Sequence, residues 1–412
     1  MSPTDRPTRS LPDLMAELAP PRVPDYVEDM LKATARTRQR PAWTSLERLL
    51  PMPVSARLAP LGLPSWRPLV LLVALAGLIL ALATTFLVGA RPALPPEFGP
   101  AKNGLVIYGN TTGDIMSVDP ATGKTAVVIA GATQDFGPGL SPDGRTFLFV
   151  RTVDGADMLY TANVDGSGIK PFASGADAAW NEWSPDSQQL VYIAEGGGTP
   201  YVRDVATGVV TAVPVGAPVD RAWWLSSTKL LVVAAEEGLG HEYSTINVDG
   251  TERTPVTTAD SCCGEGVLKG RGLLAWTSWN ATTGMTGRTH VLDIASGQDT
   301  LLASTDDLES HFLDPVFSPD GSWLAVRHHA GPRTDGVQLA LIAADGSGAP
   351  IDLEPRFNAD SAKMDATFSP DGTKLVVNYG DGSTWLYSVP DGNGAKVEWP
   401  PVVNASWQRL AP

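Results

Sequence analysis

Phe317-Ser318-Pro319-Asp320-Gly321-Ser322-Trp323-Leu324-Ala325-Val326 is the stretch that decides the fold. An aromatic and a serine precede a tight turn, and an apolar run follows it. Pro319 presets φ near −65°, Asp320 can hydrogen-bond its own backbone, and Gly321 tolerates the positive φ that closes a hairpin. The same order recurs at Ser141-Pro142-Asp143-Gly144, Ser184-Pro185-Asp186-Ser187 and Ser369-Pro370-Asp371-Gly372, each before a strand-like run. Turns repeated in this way predict an all-β repeat protein.

A second marker sets the repeat count. Turns containing Asp and Gly begin at Asp119, Asp165, Asp204, Asp249, Asp293, Asp345 and Asp391, spaced 39 to 52 residues apart. That period suits a four-stranded propeller blade. Inner hairpins are expected near residues 141, 184, 224, 267, 318 and 369. The first unit, beginning at Leu105, lacks an inner strand, and Asn404–Leu410 reads as the strand that supplies it. The expectation is a seven-bladed β-propeller closed by its C-terminus.

Phe317–Gly321, Phe368–Gly372, Leu140–Gly144 and Trp183–Asp186 resemble the hairpin signature of TolB-like and WD-like propellers. The units near 224 and 267 depart from it and rest on spacing. The resemblance implies a propeller of the kind found in periplasmic binding proteins, protease accessory domains and sensor ectodomains, so it bears on fold far more than on function.

The propeller takes up residues 104–412. Before it, Leu69–Ala90 is uncharged and apolar, and at about 1.5 Å per residue it spans roughly 33 Å, enough for a bilayer core. Trp66, Arg67 and Arg91 flank it as interface anchors. Residues 67–90 are therefore read as a single transmembrane helix, uncleaved because the leader ahead of it is too long for a signal peptide. Residues 1–67 hold ten of the 30 basic residues but only seven of the 45 acids. The positive-inside rule then puts the N-terminus in the cytoplasm and the propeller outside. The tail, residues 1–66, reads as largely disordered with two short helices, near Leu11–Leu18 and Val27–Thr34. The alternative is that their apolar faces dock on a cytosolic signalling partner. Residues 91–103, with four prolines, read as a stiff spacer.

A net charge of −15 argues against a nucleic-acid partner. No nucleophile elbow, His-Glu-x-x-His motif or phosphate-binding glycine loop is present, and no cofactor motif. The chain is accordingly expected not to be an enzyme. His328 and His329 are adjacent in a strand, so alternation sends them to opposite faces.

The candidate site comes from register. Four residues before each turn serine, or its counterpart, the chain nears one mouth of the central channel. These positions are Gly137, Trp180, Asp220, Cys263, Asp314, Asp365 and Asn404. Three carboxylates and an amide around an opening suit a divalent cation such as calcium, or a basic group of a protein or peptide ligand. The favoured reading is that each Asp caps a turn or bonds backbone amides entering the strand, since Asx turns are common where loops enter strands. Cys262-Cys263 falls in the same ring, as a vicinal disulfide or as two thiols. The leading functional expectation is a membrane-anchored, extracytoplasmic binding or sensing module for a protein, cell-wall or small ligand. The alternative is an anti-sigma-like transmembrane regulator acting through its tail, although the zinc motif of one such class is missing.

Overall fold

A computed structural model describes residues 30, 32, 70, 72–79, 94–174, 180–193, 198–235, 240–280, 285–304, 310–330, 337–357, 364–400 and 402–412. The chain divides into two compact units, Met1–Arg91 and Pro92–Pro412. In the first, Met30, Lys32, Val70 and residues 72–79 are helical and exposed. Among the described residues no helix is long and apolar enough to cross a membrane. The rest of the expected span at 67–90, and most of the tail, lie outside the described residues.

The second unit is all-β. Five of its sheets have four strands and one has seven. The seven-stranded sheet is two blades sharing Thr254–Leu268, whose first half pairs with Gly240–Asn247 and whose second half pairs with Leu273–Asn280. That makes seven blades. The closure strand is Val403–Leu410, which pairs antiparallel with Lys102–Gly109 through Trp407↔Val106 and Arg409↔Asn103, as the sequence predicts. It is the inner strand of blade 1. The other inner strands are Gln134–Leu140, Trp180–Trp183, Arg221–Ser226, the second half of Thr254–Leu268, Ser310–Phe317 and Met364–Phe368, for blades 2 to 7.

The core lies between blades. Val191 and Ile193 of blade 3 pack with Trp224, Leu230 and Val232 of blade 4, and Leu339 and Leu341 of blade 6 with Phe368, Leu375 and Val377 of blade 7. Aromatics at the ends of the inner strands tie neighbours together. The Trp183 indole donates to the carbonyl of Gly139 at 3.0 Å, and that of Trp224 to the carbonyl of Glu182 at 3.1 Å. Burying a large ring while satisfying its N–H suits an aromatic to this place.

The turn serine carries more of the hairpin than its small size suggests. Ser318 is fully buried. Its hydroxyl donates to Asp320 at 2.6 Å and accepts from the Trp323 N–H at 3.0 Å. Ser141, Ser184 and Ser369 repeat both contacts. Where blade 3 substitutes Ser187 for glycine, that residue sits at φ 62° and its hydroxyl accepts the Asp143 N–H of blade 2 at 2.9 Å.

These hairpins and the late Asp turns lie at one end of every blade, here the turn end. Residues 94–101 are also found there, packed on the propeller rather than standing off it as a spacer. The Pro96 carbonyl accepts from Arg409 Nη2 at 2.7 Å, and the Ala101 N–H donates to the Pro370 carbonyl at 2.8 Å. Phe98 lies so close over Gly270 that a Cβ there would come within 2.4 Å of the Phe98 Cβ.

Candidate functional site: the bulge end of the channel

At the opposite end several inner strands are kinked. The ladders of blades 2, 6 and 1 shift register at Phe136/Gly139, Leu313/Val316 and Ile107/Gly109. In each kink one residue has positive φ: Gly137 at 63°, Asp314 at 51° and Asn404 at 51°. Asp and Asn tolerate this region better than most residues, and a β-bulge re-aims a side chain next to a site.

Cross-strand pairs give the true register. Leu140↔Phe147, Trp183↔Leu190, Trp224↔Leu230, Leu268↔Leu273, Phe317↔Leu324 and Phe368↔Leu375 are equivalent. Counting three residues back from the first member, and from Trp407, gives Gly137, Trp180, Arg221, Glu265, Asp314, Asp365 and Asn404. Blades 4 and 5 therefore differ from the sequence register. Asp220 lies one residue outside the ring, where its N–H donates to the Val233 carbonyl at 2.8 Å, and Arg221 takes the position. Glu265 replaces Cys263 in blade 5. The side chains of Cys262 and Cys263 lie outside the described residues.

Charge joins blades 4 and 5, and a second ion pair stands beside it within blade 6. Arg221 of blade 4 contacts the Glu265 carboxylate of blade 5, which is 1% exposed. The other Glu265 oxygen accepts from Tyr243 Oη at 3.0 Å. Asp314 of blade 6 contacts Arg327 on the neighbouring strand. Gly264, at φ 82°, leaves room for this group, because a Cβ there would stand 2.5 Å from Asp314 Oδ1. Burial raises the Asp314 carboxyl above the ordinary range; Arg327 opposes the rise and the Glu265 charge adds to it. Burial also raises Asp365, against a hydrogen bond from the Ala405 N–H at 3.3 Å.

The rest of the ring is milder. Asn404 is exposed beside Gly137. Trp180 is half-buried, donates to the Ala222 carbonyl at 2.9 Å and stands edge-on to Trp223 at 5.3 Å. In blade 2, just outside the ring, Asp135 pairs with Arg151 through two 2.7 Å bonds. Among the described residues no three His, Cys, Asp or Glu side chains gather as a metal site. His328 is taken up by Asp352 at 2.6 Å and stacks on Phe312 at 4.5 Å; the His329 side chain lies outside the described residues.

No protein-family profile matches the chain, and no curated protein matches it. Solved structures do. An oligogalacturonate lyase in complex with manganese matches at TM-score 0.53 and 14% identity over 73% of this chain and 86% of that one. A prolyl endopeptidase structure matches at 0.55 and 12% over 77% of this chain, which spans only 51% of the endopeptidase. TolB from Acinetobacter baumannii matches at 0.45 and 16% over 76% of this chain and 81% of that one, too low a score to argue from. Identities this low show the fold alone. They nonetheless correct the expectation that the chain is not an enzyme: propellers superimposable on it belong to a lyase and an endopeptidase, so missing hydrolase motifs exclude no activity for this fold. The chain is an all-β, seven-bladed propeller with a ring of three carboxylates, one arginine, one indole and one amide at the bulge end of its channel.

Proposed function

We propose that the chain is a membrane-anchored, extracytoplasmic binding module whose bulge-end ring takes a basic group of a protein or peptide ligand. The observation that supports this most is the state of Asp314 and Asp365. Asp314 is 44% exposed with Arg327 as its ion-pair partner, Asp365 accepts one backbone N–H at 3.3 Å, and surrounding protein raises both carboxyls, so an incoming cation gains from each. A lysine-type ammonium fits better than calcium. Glu265 is committed to Arg221 and Tyr243, and Asp314 contacts Arg327, which leaves few free oxygens for a hard cation that takes six to eight. Asn404, in the blade next to that of Asp365, offers an amide, while Trp180 stands on the Gly137–Arg221 side of the ring, packed on the blade 3–4 core. The anchor is the apolar span at 67–90, the location follows from the positive-inside rule, and the serine–proline–aspartate–glycine hairpins are the repeat of the scaffold. Isothermal titration of the full chain with a tetralysine peptide tests the proposal. Asp314→Asn and Asp365→Asn should each weaken binding roughly tenfold, as loss of a charged hydrogen-bond partner does. Equal binding by wild type and both variants would overturn it.

A further inference from the structure

At the turn end, away from the bulge ring, charged side chains of blades 5 and 3 meet, and residues 96–98 bridge that pair's neighbourhood to Arg409 of blade 1. Lys269, in the short turn of blade 5, contacts the Glu182 carboxylate of blade 3. Arg409, on the closure strand of blade 1, is near enough to Lys269 to repel it. One Arg409 nitrogen donates to Pro96, while its Nε is buried with no hydrogen-bond partner. Phe98 closes over Gly270, the residue after Lys269. Glu182 thus serves Lys269, Arg409 is given no carboxylate partner among the described residues, and a buried donor is left unmet, which native structures rarely tolerate.

We infer that the turn end of the channel binds a small oxyanion, a phosphate or carboxylate group, between Lys269 and Arg409 beneath Phe98. The anion would supply the missing acceptor for Arg409 Nε and the second negative charge. It would also relieve Lys269, whose ammonium is pushed down to about 8, first by burial and then by Arg409. The side chain is 29% exposed, so that burial reflects protein crowding around the channel end rather than closure, and a small solute can still reach it. Glu182 competes for the same ammonium. Arg409 also holds residue 96, so an anion that draws the guanidinium inward would loosen residues 94–101.

The test is calorimetric titration of the full chain with inorganic phosphate and, separately, citrate, with thermal unfolding as a fold check. Lys269→Met and Arg409→Gln should each weaken phosphate binding at least roughly tenfold. Glu182→Gln should strengthen it, an effect that a purely structural ion pair would not give. Lys269→Met should keep tetralysine binding, which separates failure here from failure of the bulge-end proposal. Arg409→Lys covers the case in which Arg409→Gln does not fold: it keeps the charge, loses the Nε donor, and should bind more weakly than wild type. Either no heat in wild type, or the same weak heat in wild type and all variants (an adventitious ion only), would overturn the inference.

Discussion

Asp320 and Asp314 stand six residues apart on one hairpin and answer to opposite environments. Asp320, at the turn end, is desolvated, yet hydrogen bonds from the Ser318 and Ser322 hydroxyls and the Ser322 N–H outweigh that and hold its carboxyl below the ordinary range. Asp371 repeats this with Ser369, Thr373 and Asn103. Asp314, at the bulge end, is crowded more deeply by the protein, and with Arg327 alone opposing that desolvation its carboxyl is raised. One residue type thus serves architecture at one end, where its needs are met locally, and at the other, where they are left partly open, it carries the proposed recognition. Buried polar groups that are fully paired specify a fold; those partly paired mark a place where a partner adds something.

The largest expected difference between the ends is in stability. Gly144 sits at φ 69°, and a Cβ there would lie 2.2 Å from the Arg409 carbonyl oxygen of the closure strand. Gly144→Ala should cost about 3 kcal/mol in denaturant unfolding, through left-handed strain and overpacking at the seam. Ser318→Ala comes next. It leaves the Trp323 N–H and the Asp320 carboxylate short of a partner and should cost about 2 kcal/mol. A loss under about 0.5 kcal/mol would break the assignment of the serine as the node of the turn, since surface substitutions lie in that range.

Acid should separate the ends without mutation. An unfolded aspartate titrates near about 3.9. Asp320 and Asp371 are depressed, so their stabilisation is present above that pH and is lost as pH falls through their lower folded values. Asp314 and Asp365 are raised, so they take up protons above that pH, and their contribution to stability runs the other way. On acidification, tetralysine binding should fade at a higher pH than the one at which circular dichroism reports unfolding. Coincident transitions would erase the distinction. The smallest effect is expected at Ser187. Ser187→Gly relieves a left-handed φ but removes the acceptor for the Asp143 N–H, and the two should cancel to within about 0.5 kcal/mol.

How much of this was legible depended on whether the cause was local. The hairpin at Phe317–Val326 was readable because Pro319, Asp320 and Gly321 act within their own turn, and the closure strand was readable because Asn404–Leu410 repeats that pattern's approach. The buried serine was not credited, since its partners emerge only once the hairpin closes. Register failed in blades 4 and 5, where no proline–aspartate turn fixes the count: Trp224 takes the place of the aromatic rather than of the serine, and Leu268 is followed by a 3-10 turn. Aligning Trp224 with Trp183 would have exposed Arg221, and aligning Leu268 with Phe317 would have exposed Glu265. The docking of residues 94–101 was beyond local reading, because Phe98 finds Gly270 only when the ring is built.

The most direct measurement sets the two ends side by side: calorimetric titration of tetralysine into wild type, Asp314→Asn and Ser318→Ala, each with its unfolding curve. Asp314→Asn should lose binding roughly tenfold while stability stays within about 1 kcal/mol, as for a partly exposed ion pair. Ser318→Ala should lose stability and keep binding. The opposite pattern, or both variants losing both properties together, would contradict the division of the propeller into a structural end and a recognising end.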